Sequence, residues 1–199
     1  KKTKEVDPKY HVWASFDEDD FLNQIDNKRM PTGSNYDMTG IPVGVKDIFN
    51  TLTLPTQMGS PLWKDFNAGN DARVVHGLKE AGAIIAGKTI TAEFAVDSLN
   101  ETLNPHDISL TPGTSSSGSA VSAAMGVCPV SLGTQTAGSI VRPASFNGVY
   151  GFKPSFGLVP RTGMLKTTDT LDAVGFFTIH YKDILKVFEA LRVRGKNYP

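Results

Sequence analysis

The chain has 199 residues, of which 40% are hydrophobic, and this is enough to bury the core of one domain. Its 20 basic and 20 acidic residues cancel and form no long block of one sign, which argues against nucleic acid or an anionic membrane as the main partner. No apolar run approaches the length of a membrane span, and no secretory signal stands at the amino end. We therefore expect a cytoplasmic protein with no membrane partner, although a chain that does not begin with Met is also compatible with a removed presequence.

Hydrophobic periodicity predicts the elements in chain order. Residues 1–39 form a polar arm, with a short helix at 17–27, where apolar residues recur at helical spacing, and a loop at 30–39. Strands are then predicted at 41–48, 83–86 and 127–132, and helices at 71–82, 91–96, 120–125, 139–146 and 181–192. The helix at 139–146 is expected to be interrupted near Pro143. Alternating helices and strands predict an α/β fold in which a mixed β-sheet is covered by α-helices.

Residues 82–89, Gly-Ala-Ile-Ile-Ala-Gly-Lys-Thr, match the pattern of phosphate-binding loops, GxxxxGK followed by Ser or Thr. Such a loop needs a strand before it, exposed backbone N–H groups within it and a helix after it. Here a predicted helix comes first, and the apolar Ile84 and Ile85 favour a buried strand. We therefore expect no nucleotide site at this segment and no cofactor.

Motifs for several other chemistries are missing from the sequence. It contains no GxSxG nucleophile elbow, no CxxC pair and no HExxH pair, and its four histidines stand in unrelated contexts. A metal site is therefore not expected. The single cysteine, Cys128, lies in an apolar run and is expected to be a small buried hydrophobe.

Two turns rich in serine and glycine, at 112–119 and 133–139, flank the predicted strand at 127–132. A flexible linker and an ordinary turn would account for such a composition. Both turns, however, adjoin strongly apolar elements, so we expect them to be ordered. The second turn ends in Ala-Gly-Ser139 before a predicted helix, where free backbone N–H groups and the positive end of the helix dipole can hold an oxyanion.

Taken together, these segments resemble the signature region of the amidase-signature family. The resemblance lies in the turn at 112–119, the run Gly-Thr-Gln-Thr-Ala-Gly-Ser-Ile-Val-Arg-Pro-Ala at 133–144, the run Gly-Val-Tyr-Gly-Phe-Lys-Pro at 148–154, the lysine strand at 40–47 and the segment at 81–89. Family members are typically more than twice as long as this chain. The resemblance therefore implies the N-terminal portion of the amidase-signature fold, with residues 40–199 as part of the catalytic domain and the C-terminal half absent.

The resemblance also implies a Ser-cisSer-Lys triad. Ser139 matches the nucleophile, Ser115 matches the bridging serine that follows a cis peptide bond, and Lys46 matches the base. The oxyanion hole would be formed by the backbone N–H groups of Thr136, Ala137, Gly138 and Ser139.

Four residues depart from the commonest family pattern, and Arg142 stands one place later than usual. Gln135 replaces an Asp, while Ala137, Thr114 and Ser117 each replace a Gly. These changes bear on substrate preference more than on reaction class.

The chemistry of the triad requires a neutral lysine, because only the neutral amine can accept a proton from a serine. Apolar neighbours of Lys46 in its strand, Val43, Val45 and Ile48, favour the neutral form, whereas Asp47 opposes it.

The sequence thus predicts an enzyme, an amidase that hydrolyses a small-molecule amide substrate through an acyl-enzyme. Two alternatives remain open. One is the A-type subunit of a glutamine-dependent amidotransferase, which would need a partner protein and often tRNA. The other is a catalytically silent binding module whose serines only shape a turn. A homo-oligomer is also compatible with the sequence.

Overall fold

The computed structural model describes residues 1–26 and 38–195. The strands are β1 (Trp13–Ser15), β2 (Pro42–Lys46), β3 (Ile84–Thr89), β4 (Val130–Gln135), β5 (Tyr150–Phe152) and β6 (Ala173–Thr178). The helices are α1 (Lys2–Tyr10), α2 (Glu18–Asp26), α3 (Arg73–Glu80), α4 (Ser117–Ala124), α5 (Val141–Asn147) and α6 (Lys182–Leu191), with short 3-10 turns at Pro61–Trp63 and Glu93–Ala95. No helix in the described part of the chain is both long and apolar enough to cross a membrane.

The six strands form one mixed sheet in the order β1-β3-β2-β4-β6-β5. Strand β2 lies at its centre and pairs in parallel with β3 and with β4, while the other neighbouring strands are antiparallel. Helices cover both faces of the sheet. Helices α3 and α6 pack over the side chains of Val43, Val45 and Leu132, whereas α4 and α5 pack around Phe177. This arrangement confirms the predicted fold class.

Helix α4 lies unusually close to the sheet because of Gly118. A Cβ at this position would stand 2.6 Å from both the Ile90 nitrogen and the Val12 oxygen, a distance at which the backbones would have to separate. The Gly118 N–H donates to the Ile90 oxygen at 3.0 Å. The close contact fixes the first turn of α4 against the residue that follows β3 and the residue that precedes β1.

The first 26 residues contain more structure than the polar arm that we predicted. Helix α1 was not predicted, because its sequence is polar, includes Pro8 and buries only Val6. Strand β1 was also missed, and it pairs with β3 at the edge of the sheet. The predicted helix at 17–27 is present as α2, and most of the predicted loop at 30–39 lies outside the described residues.

Other boundaries shift in ways that matter for the site. Strand β4 begins and ends three residues later than predicted and therefore takes in the start of the second serine-rich turn. Helix α4 begins at Ser117, inside the first serine-rich turn. Helix α5 runs through Pro143 without interruption, because a proline in the first turn replaces an N–H that has no helical partner.

Candidate functional site

The site begins with Lys46, the last residue of the central strand β2. Its side chain is 0% exposed, and its Nζ donates to Ser115 Oγ at 2.7 Å and to Thr134 Oγ1 at 2.9 Å. Burial lowers the pKa of Lys46 to about 7, and the negative charge of Asp172 partly opposes this. Lys46 is therefore a lysine that can lose its proton near neutral pH, as its apolar strand neighbours predicted.

Asp47, the residue after Lys46, forms an ion pair with Lys88 of the neighbouring strand β3. Its carboxylate lies 3.0 Å from the Nζ of Lys88, and both side chains are fully buried. Burial raises the pKa of Asp47 and lowers that of Lys88, and each effect is partly offset by the opposite charge of the partner. The predicted opposition of Asp47 to a neutral Lys46 is not found: Asp47 contacts Lys88, and the negative charge that raises the pKa of Lys46 is that of Asp172.

The position of Lys88 also accounts for the segment at 82–89, whose sequence matches the pattern of phosphate-binding loops. Residues Ile84–Thr89 are strand β3, and Lys88 donates to the Pro55 oxygen at 3.0 Å and to Thr56 Oγ1 at 2.9 Å. All six strand residues are buried. The segment is therefore a buried strand rather than an exposed loop, as its apolar residues predicted.

Ser115 lies in the turn between the sheet and α4. The Thr114–Ser115 peptide bond is cis, as the family resemblance implied. Arg142 of α5 holds Thr114 from the other side: its Nη2 donates to the Thr114 oxygen at 3.0 Å and to Thr114 Oγ1 at 2.8 Å. The same guanidinium pairs with Asp97, whose carboxylate also accepts from Thr114 Oγ1 at 2.9 Å. Arg142, on which the sequence departs from the commonest pattern, is thus part of the support for this turn.

Ser139 lies half-buried in the loop between β4 and α5, next to a cavity of about 270 Å³. Within the described residues, no hydrogen bond joins Ser139 to Ser115 or Lys46. The two loops are tied together indirectly, because the backbone N–H of Arg142 donates to the Gly138 oxygen at 2.9 Å while its side chain holds Thr114.

Gln135 shapes the loop that carries Ser139. Its Nε2 donates to the Ala137 oxygen at 2.9 Å, and its Oε1 accepts from the N–H groups of Ile140 and Val141, both at 3.0 Å. The first N–H groups of α5 are therefore used by Gln135 and are not available for an oxyanion. In the described part of the chain, the N–H groups of Ala137, Gly138 and Ser139 have no protein acceptor, so the loop itself supplies free donors.

Asp172, just before β6, is a residue of this site that sequence reasoning missed. It is 2% exposed, and its carboxylate accepts from the Thr136 hydroxyl and from the backbone N–H groups of Thr167 and Thr168. The available signal was local, since three threonines precede the aspartate within five residues. The contact with Thr136 spans 36 positions, however, and no periodicity indicates it.

Side chains suited to a metal ion are not gathered here. No group of three or more His, Cys, Asp or Glu residues with suitable geometry occurs within residues 1–26 and 38–195. Cys128 is buried, and burial raises the pKa of its thiol to about 12, so it behaves as the small buried hydrophobe that was predicted.

Known proteins are similar to this chain in both sequence and fold. The A-type subunit of glutamyl-tRNA(Gln) amidotransferase from Prochlorococcus marinus is 38% identical over an alignment that covers 96% of this chain and 41% of that protein. The crystal structure of its counterpart from Thermotoga maritima matches with a TM-score of 0.83 and 31% identity, covering 99% of this chain and 43% of that one. The peptide amidase from Stenotrophomonas maltophilia also matches with a TM-score of 0.83 and 31% identity, covering 98% of this chain and 43% of the enzyme.

This chain therefore spans well under half the length of the relatives that it matches. The model of the Amidase family nevertheless matches residues 1–197, a range that contains all six strands of the sheet. Lys46, Ser115 and Ser139 all lie inside that range. The chain belongs to the Amidase family.

Proposed function

We propose that the protein hydrolyses the amide bond of a small-molecule substrate through an acyl-enzyme, with Ser139 as nucleophile, Ser115 as proton relay and Lys46 as base. The observation that carries this proposal is the 2.7 Å contact between Lys46 Nζ and Ser115 Oγ, made by a fully buried lysine whose pKa is lowered to about 7. A neutral amine at this distance has a lone pair that can accept the hydroxyl proton of Ser115.

The reaction then follows from proton transfers along the triad. Ser115 passes its proton to Lys46 and takes the proton of Ser139, whose Oγ attacks the substrate carbonyl carbon. The negative charge that develops on the carbonyl oxygen would be held by the backbone N–H groups of Thr136, Ala137, Gly138 and Ser139. Lys46 returns its proton through Ser115 to the leaving nitrogen, the carbon–nitrogen bond breaks, and water hydrolyses the ester on Ser139.

A second candidate is the A-type subunit of a glutamine-dependent amidotransferase. It is supported by the names of relatives, such as the Prochlorococcus marinus and Thermotoga maritima proteins. Both functions use the same acyl-enzyme, but the amidotransferase delivers ammonia from glutamine to an acceptor held with a partner chain. Release of ammonia from glutamine together with co-purification of a second protein would favour the amidotransferase; association only with further copies of itself would favour a homo-oligomeric amidase.

A catalytically silent binding module is disfavoured by the cost of burying Lys46. A turn that only needed shape could be built with a neutral residue at this position. Within the described residues, the contacts of the Lys46 ammonium are hydroxyls rather than a carboxylate, so its burial carries a desolvation penalty. The proposed base role gives a reason for that penalty.

The test is covalent labelling of the complete protein with a fluorophosphonate, followed by mapping of the modified residue. We expect the label on Ser139, and we expect Ser139→Ala to abolish both labelling and hydrolysis. Ser155→Ala, which changes an exposed serine outside the site, is the matched control and should label like the wild type. Label on Ser116 or Ser119 with Ser139 unmodified would contradict the assignment.

A further inference from the structure

Asp172 is a buried carboxylate whose contacts, among the residues that the structure describes, are hydrogen-bond donors without charge. Hydrogen bonds reach it from three threonines. The neighbouring Arg161 donates instead to the backbone oxygens of Asp169 and Asp172. Burial raises the pKa of Asp172, but hydrogen bonds led by that of Thr136 outweigh it, so the pKa lies below its ordinary value and the group is ionised at neutral pH.

One of those hydrogen bonds reaches the loop of the proposed nucleophile. Thr136 is the first residue after β4, and its hydroxyl also contacts Thr167 Oγ1 at 3.0 Å. The Asp172 carboxylate in turn accepts hydrogen bonds from the Thr167 backbone N–H at 2.6 Å and from the Thr167 hydroxyl at 2.9 Å. Asp172 therefore fastens the beginning of the 136–139 loop, while Gln135 fastens its middle and its end.

Asp172 is also the charge that acts on Lys46. The polar atoms in contact with Lys46 Nζ are the hydroxyls of Ser115 and Thr134, which carry no charge. The other carboxylate nearby in sequence, Asp47, is neutralised by Lys88. Lys46 contacts the hydroxyl of Thr134 and Asp172 contacts the hydroxyl of Thr136, two residues further along the chain, so the carboxylate lies near the lysine, although no ion pair joins the two within the described residues. Its negative charge raises the pKa of Lys46.

We propose that Asp172 is a positioning residue of the site, which anchors the 136–139 loop through Thr136 and supplies the negative charge that balances Lys46 when the lysine takes up the serine proton. This inference rests on the proposed function, because only that mechanism makes Lys46 change charge during each turnover. A carboxylate in direct contact would hold the lysine protonated at rest and remove the base. A carboxylate at longer range leaves the base available and still offsets the positive charge that develops in a buried site.

The decisive variant is Asp172→Asn in the complete protein, which keeps the shape of the side chain and removes its charge. We expect the maximal rate of fluorophosphonate labelling to fall by about 10- to 100-fold, as expected for a displaced oxyanion loop. The pKa of Lys46, followed by NMR of protein labelled at the lysine side-chain carbons, should shift downward, and the pH at which labelling reaches half its maximum should shift with it. A role limited to packing would not move that pKa.

Two further variants separate position from charge. Thr136→Val removes the anchored hydroxyl and keeps the carboxylate, so labelling should slow while the pKa of Lys46 stays in place. Asp169→Asn removes one negative charge from an exposed side chain three residues away, and it should change neither quantity. It is the matched control for a general change in charge.

The outcomes distinguish this inference from the proposed function. A wild-type protein that takes no label at Ser139 would contradict the proposed function, whatever the effect of substitutions at Asp172. Wild-type labelling together with an Asp172→Asn variant whose rate and Lys46 pKa are both unchanged would overturn the role of Asp172 alone. If Asp172→Asn does not fold, Thr136→Val decides the anchoring role, and a labelling rate equal to that of the wild type would overturn it.

Discussion

Replacing Lys46 by arginine should destroy the activity although it retains a positive charge and similar length. The Nζ of Lys46 is fully buried, and burial lowers its pKa to about 7, so about half of the molecules hold a neutral amine at pH 7. Arginine does not give up its proton in this range and cannot accept one from Ser115. Lys46→Arg therefore removes the base and keeps the charge.

The size of the effect follows from the lowered pKa. With the ordinary value of 10.5, only about 3 in 10,000 lysines would be neutral at pH 7, so burial increases the neutral fraction by about 10³-fold. Since arginine supplies even less base than an unperturbed lysine, we expect Lys46→Arg to lose at least about 10³-fold, or roughly 4 kcal/mol of barrier. In the wild type, the neutral form exists above the pKa, so the rate should rise about tenfold per pH unit below pH 7 and level off above it.

The assay is the second-order rate of fluorophosphonate labelling at Ser139 between pH 5 and pH 9, roughly two units on either side of the Lys46 pKa. Lys79→Arg makes the same substitution at a partly exposed ion pair with Asp71 and should label like the wild type. Circular dichroism would show that Lys46→Arg is folded. If arginine does not fit, Lys46→Ala serves instead, and added propylamine, a free amine base, should restore part of its labelling rate. A Lys46→Arg rate within about tenfold of wild type, or a wild-type rate independent of pH, would refute the reasoning.

Two further substitutions test the surroundings of the triad. Lys88→Met leaves the buried carboxylate of Asp47 without its cation, so the free energy of unfolding at neutral pH should fall by about 3–5 kcal/mol in denaturant titrations. An unchanged midpoint would show that the pair is not ionised. Gln135→Glu keeps the length of the side chain but, when ionised, removes the donor to the Ala137 oxygen, so labelling of Ser139 should slow by about 10-fold or more. Equal labelling of this variant and the wild type would mean that the hydrogen bond from Gln135 to the Ala137 oxygen is not needed for the reactivity of Ser139.

The chemistry of the site could be predicted from sequence because it lies in short, unusual runs. The triad positions came from the resemblance of 40–47, 112–119 and 133–144 to a family pattern, and the contact between Lys46 and Ser115 agrees with them. The supporting contacts could not be predicted in the same way. Arg142 reaches Thr114 across 28 positions and Thr136 reaches Asp172 across 36, so each depends on the packing of the whole sheet.

The fold class could be predicted from the alternation of helices and strands, but the two strands at one edge of the sheet, β6 and β5, could not. Strand β5 has three residues, too few to show a period of two. Strand β6, Ala-Val-Gly-Phe-Phe-Thr, is buried at all six positions, so its residues do not alternate and the same run is compatible with a buried helix. The sequence alone therefore predicts neither strand.

Two buried lysines on the neighbouring strands β2 and β3 show how pairing decides the protonation of a side chain. Lys46 and Lys88 are both 0% exposed, and burial lowers the pKa of each. Lys88 has a carboxylate at 3.0 Å, which favours its ammonium form, whereas the contacts of Lys46 are hydroxyls. Asp47 adjoins Lys46 in the chain, yet it is paired with the lysine of the neighbouring strand. Lys88, in a sequence that imitates a phosphate-binding loop, thus has its own carboxylate in Asp47, whereas the negative charge that raises the pKa of Lys46 is that of Asp172, which forms no ion pair with it within the described residues.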